Sequence, residues 1–293
     1  MLEHLLKSCP GLRRLRWKPF DCLSLSSSQW GHMLSGFNLL EDLEFEYDQG
    51  ARMERERGLA PTPAFPHLAY LAVRADEHYA LPSAISPWDL PNLRKLELKT
   101  RGHPSVAGIL QFLSVHGKKL KLLTLDERTS TDVSILDILE HCGDQLEELV
   151  FHSYTPAFYH PFEQPSGVPP AVASTSIHTV ALLVGKIISS KPLPLGDYIC
   201  HALSMHQGIR KESFPNLKQL VVVLDGLDDI SVSDVQVSRR SLFIRITRVL
   251  ISLRASGVQV VDRLGRDIYI VERYLENDVV LEGPRHNMQL IDG

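Results

Sequence analysis

The residues able to do chemistry are scattered along this chain of 293 residues, and few stand at spacings that chemistry uses. No GxSxG, HExxH, GxGxxG or GxxxxGK[ST] pattern occurs, which removes the common signatures of a nucleophile elbow, a zinc protease, a dinucleotide fold and a phosphate loop. Gly185-Lys186 lacks the upstream Gly and the following Ser or Thr that would cradle a phosphate. The His pairs His152 and His160, and His201 and His206, have no fixed carboxylate or Cys partner, and His201 and Cys200 sit on an expected helix where packing is favoured over a metal site. Asp225, Asp228 and Asp229 lack the alternation of a calcium loop and read as a solvated turn. Glu140-His141-Cys142 sits at an expected helix end, where His favours the helix dipole. The four cysteines, Cys9, Cys22, Cys142 and Cys200, are far apart with no CxxC. They imply reduced, mostly buried thiols in a cytoplasmic or nuclear protein. The expectation is no enzyme, no cofactor and no metal.

Charged residues make a better pattern. Arg14, Arg16 and Lys18 alternate along one short segment, and Asp42, Glu44 and Glu46 alternate along the next. Further sets follow: Tyr70, Ala72 and Arg74; Lys95, Glu97 and Lys99; Leu122, Thr124 and Asp126; Glu148, Val150 and His152. Alternation by two places each set on one face of a strand. If the strands are neighbours in register, the basic set lies beside the acidic one. Two readings result: mutual cross-strand pairing, favoured because like charges opposed would repel, or a charged docking face for a protein partner. The last two sets, Thr179, Ala181 and Leu183 and then Gln219, Val221 and Val223, turn apolar. An open apolar patch of that kind calls for a cover, and the Pro-rich segment 154–176 is the expected one.

The elements that position these sets come from a recurring phrase, apolar-x-x-apolar-x-apolar. It reads Leu12-x-x-Leu15-x-Trp17, Leu40-x-x-Leu43-x-Phe45, Leu68-x-x-Leu71-x-Val73, Leu93-x-x-Leu96-x-Leu98, Leu120-x-x-Leu123-x-Leu125, Leu146-x-x-Leu149-x-Phe151 and Leu217-x-x-Leu220-x-Val222. Ile177-x-x-Val180-x-Leu182 is a weaker copy. The first apolar positions lie 28, 28, 25, 27, 26, 31 and 40 residues apart. The phrase accounts for much of an unusual total of 45 Leu. Its last two apolar residues face one side of a strand. The roughly 20 residues between phrases allow the crossover that parallel strands require. One such unit cannot bury its apolar face alone, so neighbours must stack.

Helices are expected between the phrases: from Ser105 to near Gly117, from near Thr131 to Gly143, from Tyr198 to Gln207, from about Ser238 to Ser256, and a short one over Gln29 to Phe37. Gly117, Gly143 and Gly257 read as left-handed residues that end them. Other strands are launched by proline, as in Phe65-Pro-His-Leu68, Leu90-Pro-Asn-Leu93 and Phe214-Pro-Asn-Leu217. Segments 49–64 and 154–176 read as insertions.

Spacing, phrase and crossover length predict an α/β fold, a leucine-rich-repeat solenoid of about eight irregular repeats over 1–262. A curved parallel sheet would line its concave face and helices and loops its convex face, with 263–293 a capping segment or partly ordered tail. The phrases Cys9-Pro-Gly-Leu-Arg-Arg-Leu15, Leu90-Pro-Asn-Leu-Arg-Lys-Leu96 and Phe214-Pro-Asn-Leu-Lys-Gln-Leu220 resemble the repeat region of fungal F-box-like proteins. The Asn that typical repeats place after the strand is replaced by Phe20, Asp48, Asp76, Arg101, Arg128 and Tyr154. The F-box segment itself is absent, so the resemblance implies a repeat domain cut from a longer parent, or a product that lost its F-box. It also implies a non-catalytic protein-binding module like the substrate-recognition part of an SCF-type ubiquitin ligase adaptor, reaching the ligase core only through that missing F-box. The alternative is a stand-alone scaffold or inhibitor. A net charge of −4 argues against nucleic acid, and no apolar run reaches the ~20 residues of a membrane span.

Overall fold

A computed structural model describes residues 8–17, 27–47, 62–75, 85–100, 106–125, 135–152, 174–184, 214–224, 234–237 and 240–272. Eleven strands run in chain order: β1 Arg14–Trp17, β2 Asp42–Tyr47, β3 Tyr70–Ala75, β4 Lys95–Thr100, β5 Leu122–Leu125, β6 Glu148–His152, β7 Thr179–Val184, β8 Gln219–Leu224, β9 Asp234–Val237, β10 Gln259–Asp262 and β11 Tyr269–Glu272. The helices are α1 Ser27–Ser35, α2 Val106–His116, α3 Ile135–Cys142 and α4 Arg240–Ala255, and 3-10 turns follow α2 and α3. Strands β1 to β8 and then β10 form one open sheet of nine, every pair parallel and each beside its predecessor. Strands β9 and β11 pair separately, also parallel.

The register keeps the phrases in step: Leu15, Leu43, Leu71, Leu96, Leu123, Leu149, Val180, Leu220 and Val260 are successive partners. All but Leu15 are fully buried, and they join one core with Leu34 and Phe37 from the α1 region, Ile109, Phe112 and Leu113 of α2, and Ile246 and Leu250 of α4.

Ahead of β2, β3, β4, β5 and β8 the chain makes a tight turn, in which Leu40, Leu68, Leu93, Leu120 and Leu217 each donate an N–H to the carbonyl three residues back. Pro66, Pro91 and Pro215 preset φ in three of these turns and Gly117 opens a fourth. The residue after that Leu then offers a carbonyl that accepts two N–H groups from the next strand. Arg13 O takes Glu41 and Asp42, Glu41 O takes Ala69 and Tyr70, and Ala69 O takes Arg94 and Lys95. The pattern continues through Arg94, Lys121, Glu147 and His178, seven steps from β1 to β8. Asn92 and Asn216 stitch the turns together, donating to Pro66 O (2.6 Å) and Thr175 O (2.7 Å) of the turn before.

The helix expected from Ser105 is Val106–His116, and the one expected from near Thr131 is described over Ile135–Cys142. The long helix ends as read: Gly257 is left-handed (φ +77°), with Gly257 N–H to Arg254 O and Val258 N–H to Leu253 O, the Schellman arrangement. Gly117 corrects its reading. It is not left-handed; a Cβ there would lie 2.6 Å from His141 O. Glycine is needed at Gly117 because α3 comes that close. The Tyr198–Gln207 helix and nearly all of the 49–64 and 154–176 segments lie outside the described residues.

The ninth strand was not legible in the phrase. Its register puts Asp262 opposite Val222, where other strands carry an apolar residue. Asp262 is only 2% exposed. Its Oδ1 accepts Leu264 N–H (2.8 Å) and Arg266 N–H (2.9 Å), and Oδ2 accepts Arg266 Nε–H (2.8 Å). Burial opposes ionisation, but these bonds and the Arg266 charge outweigh it and hold the carboxyl below its ordinary pKa. The turn they brace, with Gly265 left-handed (φ +76°), folds the chain back along β10, where Ile268 N–H reaches Val260 O.

Candidate functional site

The face of the sheet opposite the core carries the alternate residues of each strand. The first row runs Arg14, Asp42, Tyr70, Lys95, Leu122, Glu148, Thr179, Gln219 and Gln259. The second begins Arg16, Glu44, Ala72 and Glu97, then continues through Thr124, Val150, Ala181, Val221 and Val261. In the third, Glu46, Arg74 and Lys99 are consecutive partners, and His152 partners Leu183. Lys18 and Asp126 lie outside the described residues, and Glu46, Lys99 and His152 are placed by backbone register alone.

The basic and acidic strands are therefore neighbours, and their side chains meet. Arg14 lies 3.0 Å from Asp42, and Arg16 lies 3.4 Å from Glu44. The same Glu44 oxygen is 2.7 Å from Arg74 on the far side. One carboxylate thus sits between two guanidiniums from β1 and β3. On the next pair Tyr70 donates its hydroxyl to Glu97 (2.8 Å). Burial first, then the Glu97 bond and charge and the Glu44 charge, raise the Tyr70 pKa well above its ordinary value. It stays a neutral donor through the physiological range. The Glu148 carboxyl is pushed up by burial, against the opposing pull of Lys95 and His178. Mutual pairing is thus the observed arrangement at β1–β3. The exposed Arg14–Asp42 pair adds about 0.2–1 kcal/mol, whereas Glu44 and Arg74 are half-buried; together the pairs fix side-chain positions on this face.

Beyond β5 the face turns apolar but not open. Val150 (7%) and Ala181 (4%) are buried, and Leu122, Leu183, Val221 and Val223 are half-buried. The segment expected to cover them, 154–176, lies outside the described residues apart from its last three positions.

A second charged row escaped the reading by alternation, because it lies one residue ahead of each strand. Arg13 pairs with Glu41 (2.8 Å), and Lys121 with Glu147 (2.6 Å), whose other oxygen is 3.9 Å from His178. The hydrogen bond from Lys121, then its charge, holds the Glu147 carboxyl below the ordinary range. The available signal was a charged residue at one fixed offset in most phrases: Arg13, Glu41, Arg94, Lys121, Glu147 and Lys218. This row leads to a shallow groove of about 550 Å³ lined by His178, Thr179, Lys218, Gln219, Gly257 and Gln259.

Among the described residues no group of three or more His, Cys, Asp or Glu could hold a metal ion, and no helix is long and apolar enough to cross a membrane. In the Glu140-His141-Cys142 trio the Cys142 thiol is buried and pushed up to about 12 by that burial, so it is not an available nucleophile. Cys9 is exposed and free. His160, Cys200, His201, His206 and the Asp225–Asp229 turn lie outside the described residues. No family model matches the sequence, and no curated protein matches it.

Proposed function

We propose that the chain is a leucine-rich-repeat solenoid whose parallel sheet lines a concave face, and that this face is a non-catalytic protein-binding surface. The observation that carries the reading is the seven-fold recurrence of one carbonyl taking two N–H groups from the next strand. A single hydrogen-bonded unit, repeated in step with the Leu phrase, is how a chain builds a stack in one dimension rather than a closed core. Nine strands at about 4.8 Å spacing set side chains out over roughly 38 Å, a breadth suited to a macromolecular partner. Pre-set charges at Arg74, Lys95, Glu97 and Glu148 would select that partner, and the ion pairs at β1–β3 keep the surface rigid before binding.

The role as substrate-recognition part of an SCF-type ubiquitin ligase adaptor, in the cytoplasm or nucleus, rests on the resemblance of the Pro-Asn-Leu phrases to fungal F-box-like repeat regions. Proximity labelling in cells, with the wild-type chain and an Arg74→Glu, Lys95→Glu variant, tests both levels. A partner labelled by the wild type and lost from the folded variant supports the binding face, and ligase core subunits labelled alongside it support the adaptor role. No variant-sensitive partner overturns the binding face. A face-dependent partner without ligase subunits turns the reading to a stand-alone scaffold.

A further inference from the structure

The two edges of the nine-stranded sheet are not alike. At the β10 edge the chain folds back, so that Val260 O accepts Ile268 N–H and Asp262 N–H donates to Arg266 O. An antiparallel bridge between Val261 and Asp267 completes the closure. At the β1 edge the described residues supply only the second half of the recurring unit. From β2 to β8, the residue ahead of the strand and the first strand residue both give their N–H groups to the carbonyl just ahead of the preceding strand, from Glu41 and Asp42 through to Lys218 and Gln219; β10 keeps only the second of these bonds, Gln259 N–H to Lys218 O. Arg13 and Arg14 hold those places in β1, and among the described residues no carbonyl receives them. Parallel register turns the N–H and C=O of Arg14 and Arg16 away from β2.

The side chains show the same vacancy. Leu12 and Leu15 are half-exposed, whereas their counterparts Leu40, Leu68, Leu43 and Leu71 are at most 1% exposed. Arg13, Arg14 and Arg16 have side chains 66%, 83% and 66% exposed, and among the described residues each pairs with an acid on the β2 side.

We propose that the β1 edge docks an acidic extended segment of another protein as a tenth, parallel strand. Parallel addition continues the Leu12 and Leu15 layers and supplies one carbonyl to the Arg13 and Arg14 N–H groups, which no carbonyl among the described residues receives. Acids opposite Arg13, Arg14 and Arg16 repeat what Glu41, Asp42 and Glu44 do on the other side. A second copy of this chain does not fit. Two β1 edges related by a twofold would run antiparallel and set three arginines against three, which is unfavourable. Head-to-tail stacking onto β10 is blocked by the return of Asp262 to Ile268. Strand addition at a sheet edge is an established mode of peptide recognition, and this edge selects by charge.

The probe is a synthetic peptide with the sequence of Phe37 to Tyr47, which carries acids in the required places. Its control has Lys at the three positions of Glu41, Asp42 and Glu44. With the full chain, the acidic peptide is expected to bind saturably and at least about tenfold tighter than the control, as like-charge juxtaposition predicts. Its affinity should fall several-fold in high salt. The Arg14 and Arg16 amides are expected to exchange fast in the free chain and to become protected when the peptide binds. An Arg14→Gln, Arg16→Gln variant, milder than charge reversal, should lose about the same tenfold. Absence of saturable binding overturns the proposal, as do equal affinity for the control and Arg14 and Arg16 amides already protected in the free chain. Self-association that the peptide displaces would put a second copy at this edge and overturn it too.

Discussion

Substituting alanine for Gly117 separates two reasons for a glycine after a helix. If Gly117 were only a stop, with the backbone open to any residue, alanine would stabilise the chain by about 0.4–1 kcal/mol through the unfolded state. The geometry predicts the opposite sign. A Cβ at Gly117 would lie 2.6 Å from His141 O and 3.0 Å from His141 C, and ordinary contact begins near 3.4 Å. His141 is in the last turn of α3, and the atoms met are backbone, which no rotamer change can clear. The end of α2 must therefore withdraw from α3 by about 0.8 Å, loosening the contact around Cys142. Overpacking of this kind costs about 1–3 kcal/mol, and the unfolded-state gain leaves about 1–2 kcal/mol of net loss. At about 2–4 °C per kcal/mol for a domain of this size, Tm falls by roughly 2–8 °C.

The assay is thermal and urea unfolding of wild type, Gly117→Ala, Gly117→Asn, Gly257→Ala and Gly257→Asn. Gly257 has nothing within 4 Å of its would-be Cβ but a φ of +77°, so its cost is conformational, about 1–2 kcal/mol for alanine. Asn tolerates that region better than Ala. Asn should therefore be the milder change at Gly257 and the harsher one at Gly117. A Gly117→Ala chain with unchanged or raised Tm would refute the close-approach argument.

Three further outcomes follow from buried or paired charges. His116 is buried, donates Nε2–H to Ser86 O (3.0 Å) and packs on Phe112, and burial lowers its pKa. The unfolded chain takes a proton that the folded one refuses, so stability falls as pH drops through about 6.5. Urea midpoints at pH 7.5 and 5.5 should differ more for wild type than for His116→Phe. For Glu44 and Arg74, 2.7 Å apart and half-buried, a double-mutant cycle should give a coupling of at least about 0.5–1 kcal/mol that high salt weakens only in part; a coupling of zero would contradict the pairing. Asp262→Ala should cost about 2–4 kcal/mol for its lost charge-assisted bonds. Because the folded pKa is lowered, the stability Asp262 contributes is complete above about pH 4 and lost as pH falls below it. Asp262→Asn should accordingly flatten the acid limb of unfolding followed by circular dichroism.

The sheet was legible because its strands obey one rule. Apolar residues two apart, preceded three places earlier by Leu, set both the strands and their register, and Arg14 duly faces Asp42. The helix limits were legible where a capping residue and a glycine bracketed an apolar stripe, as for Val106–His116. What Gly117 does was not legible, since a close helix approach is a tertiary fact that no local pattern records. Arg13–Glu41 and Lys121–Glu147 were missed for a different reason. They lie ahead of the strands, where a period of two does not yet apply and only the offset from the phrase groups them. Lys18 and Asp126, read as members of the charged face, fall outside the described residues.

Asp262 explains why the phrase disappears in the last strand of the sheet. Its place in the register belongs to Val73, Leu98, Leu125, Leu182 and Val222 in other strands, all at most 2% exposed. A carboxylate in that row between two further strands would be buried with no donors, at a cost of several kcal/mol. At the end of the row it is tolerated for a specific reason. The segment that follows β10 need not cross over to build another strand, so it is free to turn back and offer two backbone N–H groups and the Arg266 guanidinium. The same bonds hold that segment against the outer edge of β10 and use the backbone groups another strand would need. An apolar residue at this position would remove the anchor of the return and reopen the edge. Asp262 therefore marks the end of the sheet through its chemistry, whereas at β1 no such residue stands among the described ones, and Arg13, Arg14 and Arg16 mark the edge proposed to take another strand.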